Sequence, residues 1–213
     1  MAQREAREPV SATRRFVVVA HRALARPGSL NDLASSGGRW DLLARCVNAG
    51  LLVSHGMRRD AELYLVLRAA PDGPKTLRFA GATLGGVNPD ERSTAAVAFK
   101  ALEKALPPNG EEIEASWGLF VSRRDLPRVL DDLRARGPVF VLDEGGEPAE
   151  RRAGQLLAGA TFVLSDHQDF ADEEKALLAS VSSGSLSLGP VWMHTDHCLA
   201  VVNNLLDRVP RPA

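Results

Sequence analysis

Leu186-Ser-Leu-Gly-Pro-Val-Trp-Met-His-Thr-Asp-His-Cys198 is the stretch on which the fold of this chain turns. It runs on into Leu199-Ala-Val-Val-Asn-Asn-Leu-Leu-Asp207, whose apolar residues recur at helical spacing. Ser185–Leu188 reads as a short strand, Gly189-Pro190 as a turn, and His197–Asp207 as a helix capped by Thr195 or Asp196. Strand, shaped loop and helix in that order form the usual site for a nucleotide-like ligand in an α/β protein. Such ligands bind outside the carboxyl ends of strands, where loop amides converge.

Working outward, the same alternation repeats. Val139–Leu142 and Thr161–Leu164 read as strands, separated by a turn at Glu144–Gly146, and Asp172–Ser180 as a helix. Asp125–Arg136 is an amphipathic helix through Leu126, Val129, Leu130 and Leu133, closed by Gly137-Pro138. Leu119–Ser122 is a short strand, and Ser93–Leu106 an Ala-rich helix stopped by Pro107-Pro-Asn-Gly110. Glu62–Arg68 and Thr76–Ala80 flank the turn Pro71–Pro74 and predict a hairpin. Phe16–Ala20 is a buried strand, Ala25–Gly38 a loop, and a helix begins at Arg39. Strands alternating with helices predict a mostly parallel sheet flanked by helices, an α/β fold. Met1–Thr13 reads as a flexible tail and residues 14–213 as a single domain.

The 213 residues carry 26 basic and 27 acidic side chains, a net charge of −1, so no global field draws the chain to nucleic acid. The positive charge is almost all arginine, with lysine only at Lys75, Lys100, Lys104 and Lys175. Arginine is the better fork for phosphate, although a GC-rich genome produces the same bias. Two cysteines, Cys46 and Cys198, make no disulfide framework and sit at apolar-periodic positions, as buried thiols do. The amino terminus lacks the apolar core of a signal peptide, and no run reaches the roughly 18 apolar residues of a membrane span. A soluble, cytoplasmic protein is expected.

Three polar clusters could carry chemistry. His194, Asp196, His197 and Cys198 include zinc-ligand types, but adjacent His197 and Cys198 diverge and no second cysteine pair supports them, so no metal is expected. Asn88–Ser93 places Asp90 as a helix N-cap, with Arg92 unfavourably placed in the first turn unless an anion lies nearby. His55-Gly-Met-Arg-Arg-Asp60 is a loop between helix and strand, with paired arginines suited to phosphate.

Gly38-Arg-Trp-Asp-Leu-Leu-Ala-Arg-Cys-Val47, Ser54-His55, Arg58-Arg-Asp60, Pro89-Asp-Glu-Arg92, the strand ending at Leu142, Leu164-Ser-Asp-His167 and Leu186–Cys198 together resemble one family. It is that of the archaeal tRNA pseudouridine-54 N1-methyltransferases and their bacterial relatives, of the SPOUT class. The resemblance runs from about Phe16 to Asp207. It implies a SPOUT-type fold with a carboxyl-terminal trefoil knot, a homodimer, and S-adenosylmethionine bound by Leu142, Ser165, Leu186, Ser187, Leu188, Gly189, Pro190, Val191, Met193 and Cys198. For such a methyl transfer Asp60 is the candidate to accept or orient the N1 proton, with Arg59 expected to hold Asp60 or a phosphate, and Arg39, Arg58 and Arg92 are expected to bind the RNA backbone. One departure is Ser165, where the family usually has glycine; a Cβ there is expected to crowd the cofactor or to require a different backbone angle. Alternative readings are a methyltransferase for another pseudouridine, in ribosomal RNA for example, an RNA-binding dimer that has lost methyl transfer, and a zinc protein.

Overall fold

A computed structural model describes residues 13–209; the expected tail lies outside them except for Thr13. Five parallel strands form the larger part of an eight-stranded sheet: β1 (Arg14–Leu24), β4 (Ala61–Ala69), β8 (Val139–Pro148), β9 (Ala160–Ser165) and β10 (Ser185–Ser187). Three antiparallel strands, β5 (Lys75–Ala80), β6 (Ile113–Ser116) and β7 (Leu119–Ser122), complete the order β10-β8-β9-β1-β4-β5-β7-β6. A second sheet is the small hairpin of β2 (Leu52–Val53) and β3 (Gly56–Met57).

Helices α1 (Trp40–Leu51), α2 (Glu91–Leu102), α4 (Ala153–Leu156) and α6 (Thr195–Arg208) pack on one face with Phe16, Val18, Phe140 and Phe162. Helices α3 (Leu126–Arg134) and α5 (Asp172–Val181) cover the other face over Val17, Val19, Val66 and Val163. The run Phe16-Val-Val-Val-Ala20 is fully buried because an interior parallel strand is covered on both sides. Trp40 meets the Phe99 ring edge-on at 5.1 Å, joining α1 to α2. Asp90 and Asp125 cap α2 and α3 by accepting from the main-chain N–H of Ser93 and Arg128.

Two local expectations are corrected. Glu144–Gly146 does not end its strand: β8 continues to Pro148, and the ladder jumps from Ser185 opposite Val141 to Leu186 opposite Glu147. Residues 142–146 therefore bulge out of the ladder, and a Cβ on Gly146 would sit 2.6 Å from the Ser185 carbonyl carbon. The last helix starts at Thr195, but neither Thr195 nor Asp196 caps it; His194 occupies that position without a side-chain bond. The Thr195 hydroxyl instead donates to the carbonyls of Ser165 (2.9 Å) and Asp166 (3.2 Å), fastening α6 to the end of β9.

At the opposite, amino-terminal edge of the strands, buried Arg14 holds three elements together. It donates to Asp60 before β4 (3.1 Å) and to Asn203 (3.0 Å) and Asp207 (2.9 Å) on α6. Arg58 adds a second bond to Asp207 at 2.8 Å.

Candidate active site

The carboxyl ends of β8, β9 and β10 and the start of α6 surround a cleft of about 590 Å³. Leu142, Ser165, Leu186, Leu188, Gly189, Val191, Met193 and Cys198 line it, as does Arg39. Ser187 and Pro190 do not: the Ser187 hydroxyl is turned to Gly189, exchanging bonds with its N–H and carbonyl. Gly189 has φ +130°, which an L side chain rarely adopts, and a Cβ there would meet nothing within 4 Å. The bulge of β8 brings Asp143 and Glu144 to the wall; Asp166 and Asp169 come from the turn after β9. The walls are thus aliphatic and the rim acidic, with Arg39 and Lys175 as the cations.

The turn after β9 is held rigidly. The Ser165 hydroxyl donates to the Gln168 carbonyl within the same turn. Asp166 accepts from the main-chain N–H of His21 (2.9 Å) and Gln168 (3.0 Å), and it faces His21 Nδ1 at 3.0 Å and His167 Nδ1 at 3.5 Å. His21 Nε2 faces Glu174 at 2.8 Å, and Glu174 also binds Arg68. Burial pushes the Asp166 carboxyl up, but the His21 and main-chain hydrogen bonds outweigh it and hold it below the usual carboxylate range. Burial, with the Glu144 and Asp196 carboxylates, pushes the Cys198 thiol up to about 11. Cys198 is therefore a protonated cleft wall at neutral pH rather than a nucleophile.

The other expected site residues lie elsewhere in the single chain. Asp60 pairs with Arg14 at the amino-terminal edge. The Arg59 guanidinium donates to the carbonyls of Gly81, Ala82 and Leu84, closing the turn after β5. Arg58 is engaged by Asp207, and Arg92 is exposed on the first turn of α2. Arg14 and Ala160 pair at one end of the β1–β9 ladder and Val19 and Ser165 at the other, with Asp60 one residue before Ala61, the β4 partner of Arg14. Six residues of strand rise separate Asp60 from the cleft, about 20 Å. Sequence reading missed Asp143, Glu144, Asp166 and the His21 network; only Asp166 carried a signal, as part of the Leu164–His167 turn. His194 and His197 do approach, with rings 5.6 Å apart, but no group of three possible metal ligands occurs among the described residues.

An apolar slot with an acidic rim, at the carboxyl edge of parallel strands, defines an α/β protein built to hold a nucleoside cofactor with a cationic end. Residues 13–210 match the family model described as "Putative SAM-dependent RNA methyltransferase". The tRNA (pseudouridine(54)-N(1))-methyltransferase of Methanocella arvoryzae is 45% identical over 199 residues, 92% of this chain and 99% of that protein. Its namesake from Haloarcula marismortui is 43% identical over 196 residues, 91% of this chain and 96% of that protein. The crystal structure of Archaeoglobus fulgidus Nep1 bound to S-adenosylhomocysteine shares the fold, with a TM-score of 0.62 at 15% identity, covering 93% of this chain and 97% of that one. The chain belongs to the S-adenosylmethionine-dependent RNA methyltransferase family, with the SPOUT-type α/β architecture its sequence resembles. No helix among the described residues is long and apolar enough to cross a membrane.

Proposed function

We propose that this chain is a cytoplasmic enzyme that methylates N1 of pseudouridine 54 in the T-loop of tRNA, the reaction named for its Methanocella relative. The observation that carries the reading is the convergence of Leu142, Ser165 and the 186–198 segment on one cleft. The residues present fit S-adenosylmethionine. Leu142, Leu186, Leu188, Val191 and Met193 offer aliphatic walls for a purine, and Gly189 leaves open space beside them. Asp143, Glu144 and Asp169 complement a sulfonium and an ammonium. The Ser165 hydroxyl is satisfied by the Gln168 carbonyl within its own turn.

Bound S-adenosylmethionine supplies an electrophilic methyl carbon. The protein's task is to hold the acceptor nitrogen in line with it, and positioning alone is worth effective molarities of about 10⁵ M or more. Pseudouridine carries N1–H, and that proton leaves as the nitrogen gains carbon. Asp60 accepts or orients it. Arg39, Arg58 and Arg92 contact RNA backbone, and the T-loop base is turned out of its stack to enter the cleft. Because Asp60 lies about 20 Å up the strands from its own cleft, the reading requires a homodimer in which each protomer offers Asp60 and Arg59 to its partner's cleft. We also read residues 14–213 as one domain whose last crossing, from β9 over β8 to β10 and back to α6 on the opposite face, is a trefoil knot. The strand order and the two-faced packing support this.

The test is methyl transfer by the purified chain to a T-arm hairpin bearing pseudouridine or uridine at position 54, followed by mass spectrometry of the nucleosides. One methyl on the pseudouridine hairpin and none on the uridine hairpin is expected. Transfer confined to ribosomal RNA would move the acceptor, and no transfer to any RNA would overturn the reading.

A further inference from the structure

A second cavity of about 570 Å³ lies beside the cofactor cleft. Arg22, Ser35, Ser36, Gly38, Arg39 and His167 line it, and the two cavities share Arg39 and His167. They are therefore one continuous surface at the carboxyl end of β1. Their charges are opposite in character. The cleft is rimmed by carboxylates, whereas the second cavity is lined by two arginines, two serines and a histidine; the Asp32 carboxylate behind the serines is taken up by the main-chain N–H groups of Ser35 (2.9 Å) and Ser36 (3.0 Å).

The arginines are available. Arg22 is exposed, and its side chain makes no hydrogen bond or ion pair among the described residues. Arg39 spends two of its five N–H donors on Asp41, through Nε (3.0 Å) and Nη2 (3.2 Å), and keeps the rest. The backbone is also specialised here. Arg39 has φ 74° although it is not glycine, directly after Gly38 at φ 70°. A Cβ on Gly38 would lie 2.0 Å from the Arg22 carbonyl oxygen, so the 33–39 loop is pressed onto the main chain of Arg22. Helix α1 starts at the next residue with no side-chain cap, its positive end beside the same space.

We infer that this cavity is an anion subsite that receives the phosphodiester of the RNA nucleotide entering the cleft, with Arg22 and Arg39 as the phosphate ligands. The inference rests on the RNA methyltransferase reading and extends it to Arg22, which lies outside the stretches that carry the resemblance. A carboxylate on the cofactor is the other anion that could lie there, and the experiment separates the two. In the full-length protein, Arg22→Ala is compared with wild type and Arg22→Lys for RNA KM, for the salt dependence of hairpin binding, and for S-adenosylhomocysteine affinity by calorimetry. The expected result for Arg22→Ala is an RNA KM raised about tenfold and a salt slope smaller by about one. Cofactor-product affinity should stay within about twofold and Arg22→Lys should recover part of the loss. A loss of S-adenosylhomocysteine affinity would assign the cavity to the cofactor and overturn the subsite. Unchanged RNA KM and salt slope, with normal wild-type methylation, would overturn the subsite alone. Failure of the wild type to methylate RNA would remove both readings.

Discussion

At the scale of single residues, the cleft is made of side chains whose hydrogen bonds are spent elsewhere. Ser165 in the cleft and Ser187 behind it aim their hydroxyls at main-chain carbonyls of their own loops, and Thr195 aims at those of Ser165 and Asp166 in the turn after β9. That leaves aliphatic surface and backbone towards the cofactor, which suits a flat purine. Cys198 follows the same logic. With its thiol pushed to about 11, only about 0.1% is thiolate at pH 8. Alkylation by iodoacetamide at that pH should be at least tenfold slower than for a free thiol, and S-adenosylhomocysteine should slow it further. Mass spectrometry of the labelled peptide gives both rates; rapid labelling unaffected by ligand would show that Cys198 does not line the occupied cleft. The sequence displayed these residue types, but not their partners. Nothing in the spacing of His21 and Asp166, or of Arg14 and Asp207, marks them as neighbours, because such contacts are set by strand order and not by local pattern.

At the scale of elements, local pattern was a good guide wherever a segment buried one clear face. Leu126, Val129, Leu130 and Leu133 define α3, and the residues around Pro71–Pro74 define the β4–β5 hairpin. It failed where tertiary pairing overrode composition. Gly145-Gly146 reads as a turn, yet β8 resumes at Glu147 because Leu186 pairs there. Ile113–Ser116 is a half-exposed edge strand with too little apolar surface to stand out. The least legible feature is the clamp on α6. Arg14 is 1% exposed and bonds Asp60, which is 17% exposed, and Asp207, which is 40% exposed. Removing the buried cation leaves both carboxylates without it. Arg14→Met should destabilise the fold by about 3 kcal/mol, with the Asp207 share reduced by solvent, as read from urea unfolding. The same clamp predicts acid sensitivity. Burial pushes the Asp207 carboxyl up, but hydrogen bonds from Arg58 and Arg14 prevail and hold it low, as the His21 bonds do for Asp166. A carboxyl lowered on folding contributes stability above its unfolded pKa of about 4, and that contribution is lost as pH falls through the folded value. Unfolding free energy should therefore be flat from about pH 5 to 7 and drop below about pH 4. Asp207→Asn should flatten part of that drop; an unchanged acid profile would show that the pair adds nothing.

At the scale of the whole molecule, two facts were beyond any periodicity. One is that β10 lies outside β8, so that the chain crosses back over its own sheet before α6. The other is that the residues the family resemblance joins into one site fall at opposite edges of one protomer, the cofactor segment at the carboxyl ends of the strands and Asp60 at the amino ends. A parallel sheet is rigid along its strands, so no loop motion closes a gap of about 20 Å between them. If both groups serve one reaction, two chains must meet. Isologous dimers make this natural, since a twofold axis that brings edge to cleft once does so twice. The decisive measurement mixes two defective chains. Asp60→Asn keeps the cleft and loses the carboxylate. Gly189→Phe keeps the carboxylate and fills a cleft wall that has φ +130° and no neighbour within 4 Å. Each variant alone should be inactive. Co-expressed, half of the dimers are mixed and each carries one intact composite site, so about a quarter of wild-type activity should return. If Asp60 acts within its own chain, or not at all, the mixture cannot exceed the average of its parents, whereas full activity of Asp60→Asn alone would reduce that residue to its place in the Arg14 clamp.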